Sequence, residues 1–140
     1  MMWAVHDVDT GYADPVKQHP YRLPPCKKLV VQEEVDYMMR IGVIEPSDSP
    51  WSSPVVLVAQ EGRADRFCVD FRRVNVVTKG DAFPLPRLED CIDQVGQKKF
   101  VTKIDLLKGY FQVPLTERAK EVSSFVTPDG LYQFRVMPFR

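Results

Sequence analysis

Between Leu29 and Ile44 the apolar positions Val31, Val35, Met38, Met39 and Ile41 recur every three to four residues, with Gly42 available as a stop. This spacing predicts an amphipathic helix. Two β-rich runs follow, "VVLVAQ" (55–60) and "RFCVDF" (66–71), and the short "EGRAD" between them has the length and glycine of a hairpin connection. Leu88, Cys91, Ile92 and Val95 return to helical spacing over 87–96, a stretch that begins just after Pro86 and ends at Gly96. The run 100–105 then alternates, with Phe100, Thr102 and Ile104 on one face and Val101, Lys103 and Asp105 on the other, as a strand does. A turn, a short strand over 110–115 and the polar segment "TERAKEVS" complete the middle of the chain. The pair "SFVT" and "LYQFRV", joined by "PDG", predicts a closing hairpin.

Twelve prolines punctuate this pattern. Those in "DPVKQHPYRLPP" remove backbone donors and bias their predecessors toward extended conformations, so residues 1–26 read as a strap lying along a surface. Three prolines and four serines in "EPSDSPWSSP" (45–54) predict a loop anchored by Trp51, which packs rather than stacks on a base. The stretch "RRVNVVTKGDAFPLP" reads as a short turn followed by a proline-rich bend. Helices and hairpins are intermixed without a regular βαβ alternation, which makes the class α+β.

Composition narrows the function classes. The length suits one domain, and 44% hydrophobic with 27% charged residues suits a chain with a real core. A formal net charge of zero leaves no global footprint for nucleic acid, so any such contact is local. Cys26, Cys68 and Cys91 are odd in number and outside any C-x-x-C pattern, which argues against a disulfide framework and a structural zinc site. No apolar run approaches the roughly 20 residues of a membrane span, and the N-terminus lacks the order of a signal peptide. The expected compartment is intracellular, cytoplasmic or nuclear; secretion is not expected.

One acid invites a chemical reading. Asp105 ends an alternating run just before a Gly-aromatic turn, where a carboxylate can hold a hard divalent cation beside a backbone carbonyl. Acids at strand ends also cap turns, and spacing alone leaves both readings open.

The runs "PYRLPP" (20–25), "GVIEPSDSPWSSPVVLV" (42–58), "RFCVDFRRVN" (66–75), "DAFPLPRLEDCID" (81–93), "KIDLLKGYFQVPL" (103–115) and "GLYQFRVMPF" (130–139) resemble the fingers and first palm segment of gypsy-type LTR-retrotransposon reverse transcriptases. The resemblance extends from about His6 onward in order and spacing. It implies part of a right-hand polymerase fold: the strap at 1–26, fingers over 27–86 and a partial palm over 87–140. The implied activity is RNA-directed, Mg- or Mn-dependent deoxynucleotidyl transfer, in a polyprotein that also carries RNase H. Its partners would be an RNA or DNA template-primer and deoxynucleotides.

The same resemblance assigns residues. Asp105 matches the first catalytic aspartate, with the Leu106 carbonyl as a further metal ligand in a two-metal mechanism. Tyr110 matches the aromatic that packs under the incoming sugar and rejects a 2′-hydroxyl, flanked by Phe111 and Gln112. Arg66 matches the fingers arginine that reaches the triphosphate; without the resemblance it reads as a solvated strand arginine. Asp70, Arg72 and Asn75 match an element that contacts the template or is structural.

Two departures qualify the implied site. The fingers hairpin of the family carries lysine before its turn, whereas this one reads "AQEG" (59–62), so the triphosphate clamp loses a cation unless Arg63 substitutes. The family's Tyr-x-Asp-Asp hairpin, which supplies two further carboxylates, has no counterpart before Arg140. The chain is therefore expected to be inactive alone, and the strand at 100–105 to present an open edge for self-association or docking. A non-catalytic nucleic-acid- or polymerase-binding module, or a decayed element, is the alternative.

Overall fold

The computed structural model describes residues 4–139, so the first three residues of the predicted strap and Arg140 lie outside it. Five strands form one sheet: β1 (Ile44–Pro46), β2 (Ser53–Gln60), β3 (Arg63–Val69), β4 (Phe125–Thr127) and β5 (Gly130–Phe134), in the spatial order β1-β5-β4-β2-β3. Among the described residues four α-helices accompany it, α1 (Pro25–Arg40), α2 (Arg72–Val77), α3 (Leu88–Gly96) and α4 (Glu117–Val122). The fold is α+β, as expected.

The sheet is assembled around β2, which serves two partners. Its first residues pair parallel with β4 (Ser53 with Phe125, Pro54 with Val126), and the remainder pairs antiparallel with β3. β4 and β5 form the predicted hairpin, closed by Thr127 opposite Gly130. The β2–β3 connection is tighter than "EGRAD" suggests. Gln60 pairs with Arg63, and Gly62 turns the chain at φ +67°, so Arg63, Ala64 and Asp65 join the strand.

Phe125 is fully buried and forms the aromatic centre of the core, with ring contacts to Phe67, Tyr132 and Phe134 at 5.1–5.8 Å. Val31, Val35 and Met38 of α1 reach the same core, and Ala119 and Val122 bring in α4. Met39 and Ile41, the other two members of the helical stripe, are exposed. Trp51 is buried, in keeping with a packing role.

Several boundaries differ from the sequence reading. Helix α1 starts four residues before Leu29 because Pro25 stands at its first position, where the missing N–H costs nothing. It stops before Gly42, which takes φ +75°, and Ile44 leaves it to pair with Phe134. The predicted loop at 45–54 accordingly contributes Glu45 and Pro46 to β1 and Ser53 and Pro54 to β2. Pro46 is tolerated because β1 is an edge strand.

Two helices stand where the pattern suggested none. Asp70 accepts from the Arg72 amide at 3.2 Å at the start of α2, and the Thr78 hydroxyl donates to the Val74 carbonyl at 2.9 Å at its end. Thr116 caps α4 by accepting from the Ala119 amide at 3.2 Å. In both, local side-chain bonds to the backbone outweigh a weak apolar pattern.

The predicted strands at 100–105 and 110–115 do not form. Residues 101–106 carry no regular structure, and Phe100, Val101, Ile104 and Leu107 are exposed. Alternation describes a strand only when a neighbour completes its ladder, and among the described residues none pairs with this run. The open edge expected there is therefore absent, and the sheet's own edges are β1 and β3. Over 110–115, Lys108 adopts φ +51° and starts a 3₁₀ turn at Gly109–Gln112. The amide of Phe111 donates to the Lys108 carbonyl at 3.0 Å and that of Val113 to the Tyr110 carbonyl at 3.2 Å, so backbone groups a strand would offer outward are used locally.

The described part of the strap is extended and stitched down. The His6 amide donates to the Pro114 carbonyl at 2.9 Å, and the Ser52 amide donates to the Val16 carbonyl at 3.0 Å. Asp7 and Arg118 form an ion pair, and the Thr116 hydroxyl donates to Asp7 at 2.6 Å. These contacts hold the Asp7 carboxyl down at about 2, below the ordinary carboxylate range.

Candidate functional site

Strand β3, helix α1, the 3₁₀ turn and the segment after β5 meet around one cavity of about 180 Å³, and Arg66, Tyr110, Phe111, Lys108, Glu34 and Phe139 are on its walls. β3 supplies Arg66 because the hairpin register sets it opposite Val58. The 3₁₀ turn supplies Tyr110 and Phe111 as an edge-to-face pair with centroids 4.9 Å apart. Phe139 closes the ring against Tyr110 at 5.2 Å and lies under the Arg66 guanidinium, whose carbon is 3.4 Å from the ring centroid.

Charge in this cavity is unevenly matched. The Lys108 ammonium lies 4.7 Å from the centre of the Tyr37 ring and 5.7 Å from that of Phe111. Burial pushes the Tyr110 hydroxyl pKa up; the Arg66 charge opposes that shift and Glu34 reinforces it. Tyr110 and Phe139 also line a second, largely apolar cavity of about 400 Å³ that includes His6, Val8 and Phe71.

Of the sequence-predicted residues, Arg66, Tyr110 and Phe111 are thus brought together. Arg63 is exposed near the hairpin turn, and Gln112 is exposed on the 3₁₀ turn. Asp105 and Leu106 are exposed on chain without regular structure, so the strand that was to deliver the carboxylate is missing. Among the described residues no three His, Cys, Asp or Glu side chains are grouped to hold a metal ion.

Asp70 and Arg72 form a separate node. Arg72 donates to both carboxylate oxygens of Asp70, at 2.8 and 2.7 Å, and the Tyr21 hydroxyl donates to the same group at 3.0 Å. The Arg72 guanidinium holds the Asp70 carboxyl far below its ordinary range, and Arg72 is raised in turn. Asn75, exposed on α2, donates from its amide to the Phe71 carbonyl at 2.8 Å.

Glu34, Lys108 and Phe139 share the cavity without having been singled out in the sequence. A glutamate on the polar side of a helix carries no signal. For Lys108, the neighbouring Gly109 and the aromatic pair after it were the only hint.

The family model "Reverse transcriptase (RNA-dependent DNA polymerase)" matches residues 62–139, more than half of the chain. The chain belongs to the reverse transcriptase family. Among its relatives, the retrovirus-related Pol polyprotein from transposon 412 of Drosophila melanogaster is 33% identical over 132 residues, covering 90% of this chain and 11% of that protein. The Pol polyprotein from transposon gypsy of the same species is 36% identical over 115 residues, covering 78% of this chain and 11% of the relative. The gypsy-type resemblance therefore holds, and the chain spans about a tenth of the length of these relatives.

Solved reverse transcriptases share the fold. Prototype foamy virus protease-reverse transcriptase superposes with a TM-score of 0.81 at 25% identity, covering 96% of this chain and 18% of that one. A foamy viral protease-reverse transcriptase in complex with RNA/DNA hybrid superposes at 0.75 and 20% identity, covering 96% and 18%. Among the described residues no helix is long and apolar enough to cross a membrane.

Proposed function

We propose that this chain is the fingers and first palm segment of a retroelement RNA-directed DNA polymerase, with 1–26 as an extended N-terminal strap, 27–86 as fingers and 87–140 as the palm part. It acts inside the cell, in cytoplasm or nucleus, on an RNA or DNA template-primer and deoxynucleotides. The observation that carries this reading is the convergence of Arg66, Tyr110 and Phe111 on one cavity. These come from a strand and from a distant 3₁₀ turn, and they are the residues the family resemblance sets around an incoming nucleotide. Arg66 can engage phosphate oxygens with a planar fork, and Tyr110 offers a flat face and a steric limit for a sugar. Arg63 would reach the same ligand only from the hairpin tip. Asp70, Arg72 and Asn75 have the structural role in this reading, holding α2 to the end of β3.

A divalent cation does not fit the described residues. Asp105 and the Leu106 carbonyl belong to adjacent residues and bring three oxygens at most, against the six a Mg²⁺ ion takes, and among the described residues no further acids are grouped with them. Asp105 in this reading is one carboxylate of a site completed by other parts of a longer polymerase.

The test is a gypsy-type polymerase whose homologous segment is replaced by this chain, measured for primer extension on an RNA template. Extension that is abolished by Asp105→Asn and weakened by Arg66→Ala is expected. A folded chimera that binds template-primer yet extends nothing would overturn the polymerase reading and leave a nucleic-acid-binding module in its place.

A further inference from the structure

We propose that Lys108 is a phosphate-binding residue of the nucleotide site, acting with Arg66 as a two-cation clamp on a polyphosphate chain; this rests on the nucleotide reading above. Lys108 and Arg66 line one cavity, and among the described residues neither side chain forms an ion pair or a hydrogen bond. Each rests instead on aromatic faces, Arg66 on Phe139 and Lys108 on Tyr37 and Phe111. A ring face attracts a cation more weakly than an anionic oxygen does, so both groups are available to a ligand that brings one. With Glu34 as the acid on the same walls, the cavity carries a net charge of about one positive unit.

Size and backbone point the same way. A volume of about 180 Å³ is below the roughly 300 Å³ at which drug-sized ligand sites begin, and suits the phosphate tail of a nucleotide rather than the whole. Lys108 holds φ +51°, the one positive value among described residues other than glycine, directly before the turn that presents Tyr110 and Phe111. The ammonium and the two aromatic rings are therefore set by one short backbone unit. The hairpin turn, by contrast, offers exposed Glu61 beside Gly62, and the cations on the cavity walls are Arg66 and Lys108.

The experiment measures binding of inorganic tripolyphosphate and of dGTP to the full chain by titration calorimetry without metal. Lys108→Asn removes the charge while asparagine still tolerates the left-handed backbone, Lys108→Arg keeps the charge, and Lys28→Gln removes an exposed cation of α1 remote in sequence. Lys108→Asn is expected to weaken both ligands by about 10-fold or more, with Lys108→Arg within about 3-fold of the parent and Lys28→Gln unchanged. Unaltered tripolyphosphate affinity in Lys108→Asn, with the fold intact by circular dichroism, would overturn the clamp, as would no binding to the parent chain. Equal affinity for tripolyphosphate and dGTP, both lost in Lys108→Asn, would uphold the clamp while removing the nucleotide reading.

Discussion

Arg66 on strand β3 stacks on Phe139 beyond strand β5, with the guanidinium carbon 3.4 Å from the ring centroid, so the β2–β3 hairpin is tied to the end of the described chain through the wall of the candidate site. A double-mutant cycle of Arg66→Gln and Phe139→Leu, read by urea unfolding, is expected to give a coupling of about 0.5–2 kcal/mol. Simple additivity of the two losses would mean that the stack contributes nothing. Arg66→Lys should lose most of the coupling, since an ammonium cannot lie flat on the ring.

The Asp70 node makes stability depend on acid. Its carboxyl is held below the ordinary value of about 3.9 by Arg72 first, with help from Tyr21, so folding favours the charged form. That contribution is complete above the ordinary carboxylate range and is lost as pH falls below it. Asp70→Asn is expected to cost about 1–3 kcal/mol at pH 7 and to flatten the acid side of the stability profile, measured by urea midpoints from pH 7 downward. An unchanged acid limb in the variant would show that the node is energetically idle.

The strap should come loose by the same logic. Asp7 sits at about 2 because Arg118 and then Thr116 hydrogen-bond its charged form. The contribution is present above about 3.9 and disappears as pH falls toward about 2. Arg118→Ala should release residues 4–16 to limited proteolysis while leaving global stability nearly unchanged, because the pair is half exposed. Equal protection of the strap in parent and variant would show that the Asp7–Arg118 pair does not anchor it.

Phe125 carries the core. With no exposed surface and three aromatic neighbours, Phe125→Leu is expected to cost about 1–3 kcal/mol, and Phe125→Ala about 3–5 kcal/mol, a large share of the stability of an ordinary domain. Thermal unfolding followed by far-UV circular dichroism checks both.

The parts legible in the sequence are those whose signal is local. The stripe Val31–Val35–Met38, the stop at Gly42, the 88–96 helix and the β4–β5 hairpin at "PDG" follow from periodicity and turn chemistry. Helices α2 and α4 escaped because each is six residues long, too short to show a period, with local side-chain bonds from Asp70 to the first amide of α2 and from Thr116 as the cap of α4. The motif around Asp105 identified the family, yet its strand failed to form, since alternation specifies which face a residue takes but not whether a neighbouring strand exists.

Sequence alone therefore determined the class and the family, because motif and spacing are properties of the chain read in order, and the family resemblance singled out Arg66, Tyr110 and Phe111. Only the tertiary structure decided that these three share one cavity, that Lys108 and Phe139 belong with them and that Asp105 stands apart from any acid cluster among the described residues. Those facts depend on β2 pairing with both β3 and β4 and on a single left-handed residue before a 3₁₀ turn. Contacts between segments far apart in sequence are set by packing, and packing leaves no period to read.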